Sequence, residues 1–168
     1  MILTTHAITG VAAASLVPSH RVLAFFLAFA SHFLIDAIPH WDYHLVSKRY
    51  VGGNLMATDM PFGWDFCKDL VKIGFDFVLG LFFSFIIFGL FFNLSFWLIL
   101  IGVAGGMLPD FLQFVYMKFK HEPLVSLQRF HMWIHTKKRL YGKVFLGILL
   151  QATFSAFAVL ASALISRV

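Results

Sequence analysis

The sequence predicts an all-α protein, a polytopic helical bundle of about five membrane spans with one further amphipathic helix lying at the interface. Three observations predict it. The first is composition: 60% of the residues are hydrophobic and only 12% are charged, against about 45–50% and 25% in an average globular domain. The second is arrangement, because long apolar runs alternate with short polar ones. The third is charge asymmetry, since Lys and Arg collect on alternate connections. At 168 residues the chain reads as a single membrane-embedded domain. Cys67 is its only cysteine, so an internal disulfide and a Cys-based zinc site are both excluded. The net charge of +5 points, in so apolar a chain, to the anionic cytoplasmic leaflet and membrane lipids as partners rather than nucleic acid.

Each element follows in order. Thr4 or Thr5 can cap a first helix running to about Val17, which at ~1.5 Å per residue is only about 20 Å long, so it is a partial or tucked span. Pro18-Ser19-His20-Arg21 makes a turn, and Val22 to Ile38 is a second, marginal span that Pro39 ends. Residues 40–69 form a polar loop with Lys48, Arg49, Gly52, Gly53, Asn54, Asp59, Pro61, Gly63 and Asp65, long enough to serve as a lid. A third span runs from about Asp69 to Phe92, Asn93-Leu94-Ser95 is a tight hairpin, and a fourth span extends from Phe96 to about Tyr116. In the basic stretch Lys118 to Lys143, Leu124, Leu127, Phe130 and Ile134 recur at helical spacing and predict a helix lying on the membrane. Val144 to Ile165 is the fifth span.

Five spans put the connections around 40–72 and 117–143 on the same side as the N-terminus. They hold eleven of the thirteen basic residues, leaving Arg21 and Arg167 for the other side. By the positive-inside rule the N-terminus is cytoplasmic, and no Lys or Arg precedes the first apolar run to make a signal peptide. A bacterial inner membrane is the expected location.

The ionisable residues of this apolar chain then fall into one layer. Ser31 to His44 holds three histidines and two carboxylates within fourteen residues. His32 and Asp36 stand at i, i+4 on one helix face, a pair able to grip a divalent cation or, more simply, the polar end of a helix. His6 lies at the start of the first helix, Asp76 two turns into the third, and Asp110 near the end of the fourth. His131 and His135 form a second i, i+4 pair. A charged group at bilayer depth costs about 2.5–3.5 kcal/mol or more and is usually paired, inward-facing and functional. Lys72 is the simple ion-pair partner for Asp76, whereas Asp110 has no basic residue at i±3 or i±4. Imidazole with carboxylate suits Zn²⁺, with Mn²⁺ or Fe as alternatives, and seven such groups are too many for one tetrahedral ion, so two or three ions are expected. His40 and Asp42 are further ligands or orient the imidazoles.

These same residues carry a family resemblance. Ala30-Ser31-His32-Phe33-Leu34-Ile35-Asp36, the Leu108-Pro109-Asp110 element, an early His6 followed by Gly10, and the closing His131/His135 pair resemble the LexA-regulated membrane-bound metal-dependent hydrolases. That family is in turn similar to zinc-dependent phospholipases C. The family's Pro-Asp-x-Asp-His reads here Pro109-Asp110-Phe111-Leu112-Gln113. The resemblance implies metal-assisted hydrolysis of a phosphoester, a phospholipid or another amphiphilic substrate, at a site below the cytoplasmic headgroups, with Asp76 as general base or a further ligand. The alternative is an intramembrane metal-ion or proton transporter using the same His and Asp residues.

Overall fold

The computed structural model describes residues 1–50, 55–138, 140 and 142–166. Among them lie six α-helices: α1 (Leu3–Ala14), α2 (Arg21–Asp36), α3 (Trp64–Ser84), α4 (Phe96–Lys118), α5 (Leu124–Ile134) and α6 (Val144–Ser166). Two strands, β1 (Arg49–Tyr50) and β2 (Thr58–Asp59), pair antiparallel between α2 and α3, with Arg49 opposite Asp59 and Tyr50 opposite Thr58. The expectations for Gly52, Gly53, Asn54, Arg139 and Arg167 fall outside the described residues.

The all-helical class holds, and three of the helices are long and apolar enough to cross a membrane. They are α3, which continues through a π-helical stretch, Phe85–Phe91, to make one rod of 28 residues, together with α4 and α6. The remaining two expected spans, α1 and α2, have 12 and 16 residues. At 1.5 Å per residue they reach about 18 and 24 Å, short of a ~30 Å hydrocarbon layer.

The shortest helix sits at the centre. α1 is built from small residues on every side, Leu-Thr-Thr-His-Ala-Ile-Thr-Gly-Val-Ala-Ala-Ala, and residues 5–12 are all buried. α1 is enclosed by α2, α3, α4 and α6, which bury its Thr5, His6 and Thr9 along with its apolar residues. Its seam with α4 is backbone against backbone. A Cβ on Gly106 would collide with the carbonyl of His6, and one on Gly10 with the carbonyl of Gly102. The same stretch of α4 receives α2, where Gly105 lies against Ala28 and the Phe25 carbonyl. Small residues at these crossings let the helices come close enough for dispersion and interhelical hydrogen bonds to act.

Local chemistry sets the remaining ends. Thr4 and Thr5 do not cap α1; the helix begins earlier, after an extended Ile2, and its cap comes from elsewhere in the chain. Asn93, at φ 51°, takes the left-handed turn between the α3 rod and α4, a conformation that Asn tolerates better than most residues. Ser95 then caps α4, its hydroxyl accepting the Leu98 N–H at 3.3 Å. The loop before α3 is tied down at three places. Asp69 accepts the Val46 and Ser47 N–H groups at 3.0 and 2.7 Å. The Tyr116 hydroxyl donates to Met56 O at 2.8 Å, and Lys118 donates to Asp59 at 2.9 Å and to Met60 O. Lys72 turns to Asp69 and His44 O rather than to Asp76.

Candidate metal centre

Asp36, the last residue of α2, is the hub. Its carboxylate is 1% exposed, and five imidazoles approach it, each through Nε2. His6 and His40 lie 3.3 and 3.9 Å from Oδ1. His32, His131 and His135 lie 3.3, 3.0 and 3.8 Å from Oδ2. The amino group of Met1 is 3.2 Å from Oδ1. Asp110 closes the far side, 3.8 Å from His6 Nε2 and 3.7 Å from His32 Nε2. Side chains from α1, α2, α4, α5 and the flanking turns therefore meet in one buried pocket, as the sequence leads one to expect for His6, His32, Asp36, His40, Asp110, His131 and His135.

The hydrogen bonds on the outer edge of the rings decide what the inner edge can do. His32 Nδ1 donates to Gly106 O at 2.8 Å, His40 Nδ1 to Ile38 O at 2.8 Å and His135 Nδ1 to Thr136 O at 3.1 Å. A carbonyl accepts only from N–H, so in each neutral ring the proton is at Nδ1 and Nε2 presents a lone pair to the interior. Burial, helped by repulsion from the Met1 amino group, pushes His40 down to about 3, so this ring is neutral at pH 7. His32 Nε2 and His131 Nε2 face each other at 3.4 Å. The Nε2 atoms of His6 and His40 and the Nδ1 of His6 are buried without a hydrogen-bond partner.

His131, whose Nδ1 is not held in this way among the described residues, can donate from Nε2 to Asp36 Oδ2 at 3.0 Å, whereas the Nε2 lone pairs of His32, His40 and His135 face the same carboxylate at 3.3, 3.9 and 3.8 Å, a repulsion that a cation between them would relieve. Doubly protonating all five rings around one aspartate would put several positive charges in a dry pocket, at far greater cost. A divalent ion fits this donor set, and the pattern of backbone-held Nδ1 protons behind Nε2 ligands is the usual support for metal-binding histidines. Two groups satisfy a ligand arrangement: His32, Asp36, Asp110 and His131 in one, and Asp36, His40 and His135 in the other, each with its donor atoms within 4.8 Å of one another. They share Asp36. His6 touches both carboxylates of the first group.

Asp76 does something else. Its Oδ2 accepts the Leu3 N–H at 2.6 Å, and its Oδ1 accepts the Thr4 N–H at 3.0 Å and the Thr4 hydroxyl at 2.6 Å. The carboxylate expected to be a ligand or base is thus the cap of α1, supplied by α3 to backbone donors that an isolated helix leaves unpaired. Burial and the neighbouring Asp76 raise Tyr43 above its ordinary value, so its phenol keeps the proton it shares with that carboxylate. Asp76→Ala is therefore expected to lower stability by about 1–3 kcal/mol, the range for stranding buried donors, and to leave bound metal largely intact. Thermal denaturation and elemental analysis of the same preparation check both halves.

Other functional side chains carried weaker signals. Gln151, the one amide in the apolar α6, accepts the Ile2 N–H at 3.2 Å and donates to Trp41 O at 2.9 Å, clamping α6 to the start of α1. Asp42 lines a cavity of about 560 Å³ rather than the cluster, and Asp110, His131 and His135 form part of that cavity's wall. The rest of the wall is largely apolar, from Phe66 to Phe77 on α3 and from Val103 to Met117 on α4. A volume within about 300–1,000 Å³, mostly apolar with a few convergent polar groups, is typical of a small-molecule site. Compared with protein-family models, curated proteins and solved structures, the chain finds no match.

Proposed function

We propose that this chain is a membrane-bound, metal-dependent hydrolase of phosphoesters that acts on a phospholipid or another amphiphilic substrate at a cytoplasm-facing site. The observation that carries the reading is the convergence of five imidazole Nε2 atoms on Asp36, three of them with the ring proton held on the opposite side by backbone carbonyls. A substrate-sized cavity opening onto Asp110, His131 and His135 supports an enzyme over a storage site. The resemblance to the LexA-regulated hydrolases points the same way.

His32, Asp110 and His131 would hold one ion and His40 and His135 a second, with Asp36 common to both groups. Bound there, Zn²⁺, Mn²⁺ or Fe would lower the pKa of a coordinated water towards ~7 and polarise the phosphoryl group. The chain's own contribution is placement. Asp110, whose side chain is 28% exposed where the others are nearly sealed, is the carboxylate able to meet substrate and to hold a proton at its Oδ atoms. Lysines and arginines concentrated at this end of the bundle favour an anionic headgroup, and by the positive-inside rule they support a cytoplasmic side for it.

Protein purified without chelator is expected to carry one to two equivalents of metal by elemental analysis and to release phosphate or a phosphorylated headgroup from phospholipid vesicles. His32→Ala and Asp110→Ala should lose metal and turnover together. Protein free of metal and inert after reconstitution with zinc or manganese defeats the proposal. Metal uptake into proteoliposomes without hydrolysis would favour the transporter instead.

A further inference from the structure

The geometry points to a hydrocarbon-chain site in this protein: the cavity beside the metal centre takes one acyl-type chain of an anionic phospholipid, which enters sideways from the bilayer between α3 and α4. This rests on the hydrolase reading for the headgroup's position but not for the chain's. One part of the cavity is bounded by Ile73, Gly74 and Phe77 of α3 and by Val103, Ala104 and Met107 of α4, with no charged group among them. From Val103 to Asp110 is seven residues along α4, about 10 Å at the helical rise. A chain lying there ends at the carboxylate and imidazoles, where a phosphate would sit.

Part of the lining is exposed. Leu70, Phe77 and Phe111 line the cavity and are also 55%, 42% and 60% exposed, on helices long and apolar enough to lie in lipid. A soluble phosphoester needs neither the apolar length nor this exposed lining.

Gly74 adds an independent sign. Glycine in a helix interior costs about 1 kcal/mol relative to alanine, and Gly10, Gly102, Gly105 and Gly106 repay that by admitting a neighbouring backbone. At Gly74 a Cβ would meet nothing within 4 Å. The missing side chain leaves room that the protein itself does not fill, on the face that lines the cavity. A ligand chain could pass over that position without meeting a side chain there.

The test uses full-length protein in phosphatidylcholine vesicles doped with a phosphatidic acid whose acyl chain carries a photoactivatable diazirine. Crosslinks are expected in the peptides containing Gly74 to Phe77 and Val103 to Met107. Gly74→Phe should reduce them about tenfold, the effect of excluding roughly two methylenes from burial, while metal content by elemental analysis stays at the wild-type level. Ala104→Leu, which narrows the opposite wall, serves as the second variant should Gly74→Phe fail to fold. Crosslinks spread over the outer faces of α3 and α6 and unchanged by either variant overturn the inference. Labelling involves no turnover, so metal-free or inactive protein that still labels the cavity counts against the hydrolase and for the chain site.

Discussion

Asp36→Asn is expected to abolish metal binding at the proposed centre. The substitution keeps the side chain's shape but replaces one carboxylate oxygen with a donor and removes the negative charge around which His6, His32, His40, His131 and His135 are gathered within 3.9 Å. Asp36 belongs to both ligand groups, so neither is complete without it. Elemental analysis is expected to find less than about a tenth of the wild-type metal. The phospholipid hydrolysis proposed above should fall by more than the ~10–100-fold typical of losing a group that only supports a ligand. Circular dichroism should show the helices unchanged, because an Asn at this position strands no backbone group. Wild-type metal content in the Asn variant would reduce Asp36 to a counter-ion for the Met1 amino group and surrounding imidazoles.

Gly106→Ala has the second largest effect, and it acts through packing. The new methyl would occupy the position of the His6 carbonyl, with Gly10 Cα on its other side. Both are backbone, so neither can rotate away and α1 must separate from α4. Overpacking of this kind costs about 1–3 kcal/mol and sometimes more, and at ~2–4 °C per kcal/mol for a chain of this size the thermal midpoint should fall by up to roughly 10 °C. Metal affinity falls too, because the displaced carbonyl belongs to His6 and the Gly106 carbonyl itself fixes the His32 ring. Gly74→Ala is the control: its Cβ has open space, so stability is expected to hold or rise slightly. Equal losses in the two variants would remove the close seam as the cause.

The contrast between residues legible in the sequence and those that were not follows from how many uses each has. An imidazole or carboxylate in an apolar chain is expensive to insert, and His6, His32, Asp36, Asp110, His131 and His135 fall in one layer by simple counting. Their meeting in one pocket follows from few alternatives. Asp76 was equally conspicuous, but a carboxylate in a membrane helix can pair with a lysine, hold an ion or cap another helix. The donors that decide the matter belong to Leu3 and Thr4, more than seventy residues earlier. The start of α1 was misplaced for the same reason: its cap is tertiary, whereas the capping rule applied to Thr4 and Thr5 is local. The strands β1 and β2 have two residues each, too few to show any periodicity. The cavity depends on the separation of two helices, which no local pattern encodes.

The central position of α1 also bears on how the molecule is made. At 12 residues it cannot lodge stably across a bilayer by itself, and the groups that satisfy its first turn, Asp76 and Gln151, are translated long after it. The first turn of α1, and with it the placing of His6, is therefore complete only once α3 and α6 stand beside it.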